Sequence, residues 1–284
     1  MAVATPLSVS GRWITDAHHN RVKLAGVNWA GAHQDAMTPG GLDLRHRDEI
    51  AAQIAEWGFN SVRFPFALQT VTWASPVVPA GVAANPDLVG RTPWQVYTAC
   101  VQALTAAGLM VIPNCHLLYQ GWCCSDNDAN GLWWNGNWPS SRFTNDWLTV
   151  AAAFADNPLV IGYDLKNEPR KATIAGTVHT PSWGDGNGDT DFCQLYSSTA
   201  TRIQAVDGDA LFFCEGLSYA GNWCWWLLDG TMCKGTTPAV NKLQFALGDR
   251  SGYGLFAQDW TGVSNPALLR ALQAIQRPVT GPGA

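Results

Sequence analysis

Apolar, β-branched runs alternate along this chain with segments whose apolar residues recur every three or four positions. The run at 22–29 (VKLAGVNW) predicts a strand from Val22 that ends in Asn28 and Trp29. In RHRDEIAAQIAEWGF, Ile50, Ile54 and Trp57 share one helical face. A strand is expected over 60–67 (NSVRFPFA), then a Pro- and Gly-rich loop from 72 to 92. The helix PWQVYTACVQALTAAG opens with Pro93 in its first turn and stops at Gly108. That asymmetry follows from the fixed φ of proline and the left-handed freedom of glycine. LMVIPNCHLL predicts a third strand, and a loop rich in Trp, Gly and Asn runs from 119 to 143. The helix NDWLTVAAAFAD precedes a strand at 159–165, and a polar loop at 171–190 leads into the helix DFCQLYSSTATRIQAVD. Strands at 210–217 and 241–247 follow. The last helix is SNPALLRALQAIQ, with Ser264 or Asn265 as cap and Pro266 at its start.

Strands separated by helices, with no doubled β region and no fixed-period repeat, predict a parallel α/β architecture. No G-x-G-x-x-G follows the first strand, so a dinucleotide fold has no specific support. Asn28, Arg63, Asn114 with His116, Asn167 with Glu168, and Glu215 all fall toward the C-terminal ends of strands. In a (β/α)8 TIM barrel that end is the rim where sites are built. Six strands are predicted where a closed barrel needs eight, so the expectation is a barrel lacking or altered in its last two strands. The 284 residues are expected to form one domain.

Composition narrows the function classes. Net charge is −5 without a basic cluster, which argues against a nucleic-acid partner or an anionic membrane surface. No apolar run reaches the length of a bilayer span. The start MAVATPLSVSGRW shows no signal peptide. There are eight cysteines. Cys100, Cys115 and Cys214 sit in apolar runs and are expected to be buried thiols. Cys224 with Cys233, and Cys123 or Cys124 with Cys193, are the expected disulfides, which places the protein in an oxidising, extracellular compartment. No C-x-x-C spacing occurs, and the six His are scattered, so no metal or cofactor is expected.

Glu168 is the residue of most chemical interest. It stands between Asn167 and Pro169, where the strand stops and the turn is fixed. A half-buried carboxyl among aromatic walls can be kept protonated and act as a general acid. Asn167 can hydrogen-bond a sugar hydroxyl. Equally, Glu168 could cap a helix or pair with Lys166 or Arg170.

The segments GVNW, GFNSVRFPF, LMVIPNCH and VIGYDLKNEPR, in that order and spacing, resemble glycoside hydrolase family 5, the cellulase family of retaining glycosidases. GWCCSDNDANGLWW resembles the branch that includes plant cellulase-like proteins. The resemblance runs from about residue 8 to 217. It implies a (β/α)8 barrel that cleaves a β-linked polysaccharide, a β-glucan or β-mannan, with net retention and without a cofactor. By resemblance Glu168 is the acid/base, Arg63 steadies the nucleophile, His116 contacts the sugar and Asn167 holds a hydroxyl.

Retaining chemistry needs a second carboxyl group about 5 Å from the first. The family takes it from a Glu after strand seven, in a Gly-Glu-Phe-Gly-like setting. The four Glu of this chain are Glu49, Glu56, Glu168 and Glu215, and the segment 249–284 diverges from the family pattern, with Gly-Pro-Gly near its end. Glu215 is a weak substitute, since that position commonly holds a non-catalytic residue. Asp249 and Asp259 have no motif behind them. An inactive carbohydrate-binding protein on the same barrel is therefore the alternative expectation. A metal-dependent barrel hydrolase would want His-x-His after strand one, which VNWAGAH does not supply.

Fifteen Trp suit either a core or a glycan cleft. Of Trp122, Trp133, Trp134 and Trp138, one or two are expected to touch ligand and the rest to pack. Trp223, Trp225 and Trp226 tilt further toward packing. Trp29 and His33 would line the cleft, or else be a packed Trp and a solvated loop His. An oligosaccharide or polysaccharide partner and a monomeric state are expected.

Overall fold

The computed structural model describes residues 3–125, 127–217, 226–227, 260, 263 and 266–275. The first elements form a small antiparallel sheet of β1 (Ser8–Ser10), β2 (Trp13–Thr15) and β3 (Arg21–Val22). The guanidinium groups of Arg12 and Arg21 lie over the Trp13 ring at 4.4 and 3.3 Å from its centroid. The single strand expected over 22–29 is two elements, because Val22 belongs to this sheet while β4 (Gly26–Asn28) belongs to the next. Asn60 holds the bend between them. Its side-chain oxygen accepts from the Ala25 N–H at 2.8 Å, and its Nδ2 donates to the Lys23 carbonyl at 2.8 Å.

The main sheet is parallel over five strands, and its strands lie side by side in chain order: β4, β5 (Ser61–Ala67), β6 (Met110–Leu117), β7 (Gly162–Asp164) and β10 (Leu211–Cys214). A short β11 (Trp226–Leu227) pairs antiparallel with β10. Each parallel neighbour is reached through a helix: α1 (Arg47–Glu56), α3 (Pro93–Ala106), α4 (Ser140–Phe154) or α5 (Phe192–Gln204). Between β5 and α3 lies the one-turn α2 (Leu68–Thr72). The segment 72–92 then contains two 3-10 turns, Pro79–Val82 and Pro86–Leu88, rather than loop alone. Buried Asn85 ties it down by donating to the Leu42 and Arg45 carbonyls. Likewise 171–190 contains a hairpin, β8 (Ala172–Ile174) with β9 (Thr177–His179). The last helix, α6 (Pro266–Ile275), begins at Pro266 as the sequence predicts. The strand expected at 241–247 and the Cys224–Cys233 pair lie outside the described residues.

Packing decides what each face of the sheet can hold. Val62, Phe64, Phe66, Val111, Tyr163 and Phe212 face the helices and join the larger core with Tyr97, Trp147 and Tyr196. Met110, Ile112, Ile161, Leu211 and Phe213 face the other way, where Leu7 and Ile14 of the N-terminal segment cover them. Successive strand residues alternate sides, so Arg63, Asn114 and Glu215 share this second, interior face, nearer the C-terminal ends. Gly162 resets the alternation in β7. Its φ is +155°, and a Cβ there would lie 2.1 Å from the Leu211 carbonyl oxygen, so only glycine fits. Asp164 consequently falls on the interior with Ile161, while Tyr163 points to the helices and donates to Asp207 at 2.6 Å.

Candidate active site

Arg63 is the hub of the interior rim. Its Nε donates to Asp164 Oδ2 at 2.6 Å, and its Nη2 donates to Asn167 Oδ1 at 2.8 Å and Glu215 Oε1 at 2.6 Å. All four side chains are buried. Burial works against the guanidinium charge, but the Asp164 and Glu215 carboxylates outweigh it and raise the Arg63 pKa. Burial pushes Glu215 up to about 7, against the pull of Arg63 and with the repulsion of Asp164 added.

The second oxygen of Glu215 accepts the main-chain N–H of Glu168 at 2.8 Å. That contact matters because Glu168 has φ +44°, a left-handed conformation that a non-glycine residue adopts at a cost of about 1 kcal/mol or more. Three further hydrogen bonds fix the same turn. Arg170 Nη1 donates to the Glu168 carbonyl at 3.1 Å, Lys166 Nζ to the Asn167 carbonyl at 2.7 Å, and the Asn167 N–H to the Cys115 carbonyl at 2.8 Å. Buried Arg170 also pairs with Asp128. Lys166 and Arg170 thus serve the backbone and Asp128, and neither forms an ion pair with the Glu168 carboxylate. Glu168 is also not a helix cap; the stretch after it enters the β8–β9 hairpin. Its side chain is half-buried, with Cys123 Sγ 3.6 Å from Oε2.

His116 extends the rim from β6, its Nδ1 2.9 Å from Asn114 Oδ1. Its ring lies 4.2 Å, centroid to centroid, from that of His33. His33 is buried rather than a solvated loop residue. Desolvation, reinforced by the positive charge of Arg63, lowers its pKa to about 3, and desolvation likewise holds His116 well below its usual value. The folded state therefore binds fewer protons than the unfolded chain between about pH 6.5 and 3, and stability falls as pH falls through that window. Urea midpoints measured from pH 7 to pH 4 should drop, and His33→Gln should flatten the slope. An unaltered slope would show that His33 does not titrate this way.

The aromatic candidates separate clearly. Trp29 is fully buried, with Nε1 donating to the Gly40 carbonyl at 2.9 Å, so it packs against Phe64 instead of offering a face to ligand. Trp133 and Trp138 are also buried. Trp134 is half-buried, donates to the Asp189 carbonyl at 2.8 Å and meets the His179 ring edge-on. Trp122 is 73% exposed, directly before the cysteines that border Glu168. Cys100, Cys115 and Cys214 are buried free thiols. The expected pairing of Cys123 or Cys124 with Cys193 finds no support.

Asp164 was not among the residues singled out from the sequence, and neither were Lys166 and Arg170 as buried supports. The available signal was a charged residue inside the apolar run of GYDL. Strand alternation alone would have turned Asp164 toward the helices, and only the Gly162 irregularity brings it to Arg63.

A five-stranded parallel sheet in chain order, with helices on one face and a carboxylate-bearing polar rim on the other, is the arrangement of consecutive β/α units in a (β/α)8 barrel. The family model of cellulase (glycosyl hydrolase family 5) matches residues 15–247, and the chain belongs to that family. It is 28% identical over 272 residues to an endoglucanase of Paenibacillus polymyxa, covering 93% of this chain and 64% of that protein. It is 29% identical over 211 residues to the major extracellular endoglucanase of Xanthomonas campestris pv. campestris, covering 74% of this chain and 40% of that protein. The fold is similar to that of an endocellulase from Pyrococcus horikoshii in complex with cellotetraose, with a TM-score of 0.64 and 26% identity over 79% of this chain and 63% of that one. The chain thus spans less than two thirds of the length of each of these relatives.

Proposed function

We propose that the protein hydrolyses O-glycosyl bonds of a β-linked polysaccharide with retention, using Glu168 as general acid/base. One observation carries this reading above the rest. A buried cation and two buried carboxylates are assembled to hold the backbone of Glu168 in a strained turn while leaving its carboxyl half-exposed. Such investment of buried charge around one turn suits pre-organisation of a reacting group better than fold stability, which an apolar cluster would serve as well. As part of this reading, the sugar contacts are assigned to Asn167, His116 and Trp122. A β-glucan is favoured over a β-mannan because the named relatives are endoglucanases and an endocellulase. We assign Glu215 to positioning instead of nucleophilic attack, since both of its oxygens are engaged, so the carboxylate nucleophile that retention also requires would have to come from outside the described residues. Secretion is part of the proposal, supported by the relative named an extracellular enzyme, and so are a single domain and a monomeric state.

Soluble β-glucan should release reducing ends on incubation, and NMR of the first product should show the β-anomer. An α-anomer would sink the retaining mechanism. A second reading is favoured by the engagement of both Glu215 oxygens: the chain binds glycan without cleaving it. In that case cello-oligosaccharides would still perturb tryptophan fluorescence while no reducing sugar appeared.

A further inference from the structure

We propose that Trp260 is a positioning residue for the candidate site: its indole holds the loop between β4 and α1, and through that loop it fixes His33 against His116. The indole is buried and presents its face to the backbone at Gly41. A Cβ on Gly41 would fall 2.4 Å from Cδ2, 2.5 Å from Cε2 and 2.6 Å from Cε3 of the ring, and one on Gly40 would fall 3.5 Å from Cζ2. Gly41 also has φ +84°, so glycine is required there both for the backbone conformation and for the room the ring takes. Arg45 Nη1 donates to the Trp260 carbonyl at 3.3 Å, and Gln273 Nε2 donates to the Trp57 carbonyl at 3.2 Å, which fastens α6 to the end of α1.

From Gly40 the contact reaches His33 largely through main chain. The Gly40 N–H donates to the Ala30 carbonyl at 2.9 Å, and the Gly40 carbonyl accepts from Trp29 Nε1 at 2.9 Å. Gly31, at φ +128°, leaves no room for a Cβ, which would stand 2.4 Å from the Gly40 nitrogen and 2.5 Å from the Thr38 oxygen. The two arms of the loop thus lie backbone against backbone, and a close-packed contact of this kind transmits a displacement instead of absorbing it. His33 follows on the first arm. Its carbonyl accepts from the Gly121 N–H at 3.0 Å, the Ala32 carbonyl accepts from Thr70 Oγ1 at 2.8 Å, and its ring meets His116 at 4.2 Å. Those bonds fix the first arm, while Trp260 bears on the second. The consequence for a glycan rests on the sugar contact assigned to His116 above.

Proton–nitrogen correlation spectra of the imidazole rings read this coupling directly. Trp260→Ala should shift the signals of His33 and His116. It should also weaken cellotetraose binding, measured by calorimetry, by about tenfold, the equivalent of one lost hydrogen bond. Trp260→Phe keeps an aromatic face on Gly41 and should restore most of both. Tyr163→Phe is the control: it deletes the hydrogen bond to Asp207 on the helix side of the sheet, so it should lower the denaturation midpoint and leave both readouts as in the wild type. If Trp260→Ala lowers the midpoint while the two rings keep their signals, the indole merely packs and the inference is overturned. Should that variant not fold, Gly41→Ala decides, because its methyl cannot coexist with the indole in place; unmoved His33 and His116 signals there overturn the inference equally. Shifted rings with undiminished cellotetraose affinity uphold the positioning and remove His116 from the sugar contacts. Absence of binding in the wild type itself would sink the glycan reading and leave the ring test standing.

Discussion

Glu168→Gln is expected to lower kcat on soluble β-glucan by about 10²–10⁴-fold, the usual contribution of a positioned general acid/base. The substitution keeps the shape and the main-chain N–H that Glu215 holds at 2.8 Å, so the turn should survive. What it removes is the exchangeable proton. The melting temperature should therefore change little while turnover collapses, and KM should move less than kcat, because an acid/base acts in the transition state more than in ground-state binding. An added small nucleophile with an activated aryl glycoside offers a sharper check. A good leaving group needs no protonation, so the first step should be nearly normal in the variant, and azide should rescue the second. Full activity in Glu168→Gln would remove this residue from catalysis.

Arg63→Leu should have the largest effect on stability. It would leave Asp164 and Glu215 buried side by side with no cation between them. Breaking a buried ion network by removing one partner costs about 3–5 kcal/mol, because the remaining charges stay desolvated and unpaired. Leucine cannot replace the three donated hydrogen bonds to Asp164, Asn167 and Glu215 either. The denaturation midpoint should fall accordingly, and activity should be lost even below that midpoint, since Asn167 and the Glu168 turn lose their anchor. Arg63→Lys should recover only part of the stability, as one ammonium cannot reproduce the planar fork that spans three acceptors. A midpoint unchanged in Arg63→Leu would mean that the network is not a structural keystone.

Much of this site was legible from residue order alone. Polar residues at the ends of apolar runs marked Asn28, Arg63, Asn114, His116, Asn167, Glu168 and Glu215 as one rim, and all seven lie on the interior face or the turns beyond it. Signals of strand and helix period gave the parallel β/α alternation, and the side-by-side order of the strands came with the barrel reading. Irregular features were hidden. The break between β3 and β4 depends on the side chain of Asn60, more than thirty residues away from the bend it clamps. Trp29 looked as suited to a cleft as to a core, since indole serves both, and its burial follows from the contacts with Gly40 and Phe64.

By itself the sequence determined the β/α order, the parallel sheet and the placing of Glu168 at a strand exit, because these depend on local periodicity and on residues close along the chain. Only the tertiary structure decided which charges share Arg63. Asp164 and Glu215 reach it from strands 101 and 152 residues further on, through a glycine irregularity and the alternation of a neighbouring strand. Long-range electrostatic pairing in a dry interior is a property of where strands lie, and no local pattern encodes it.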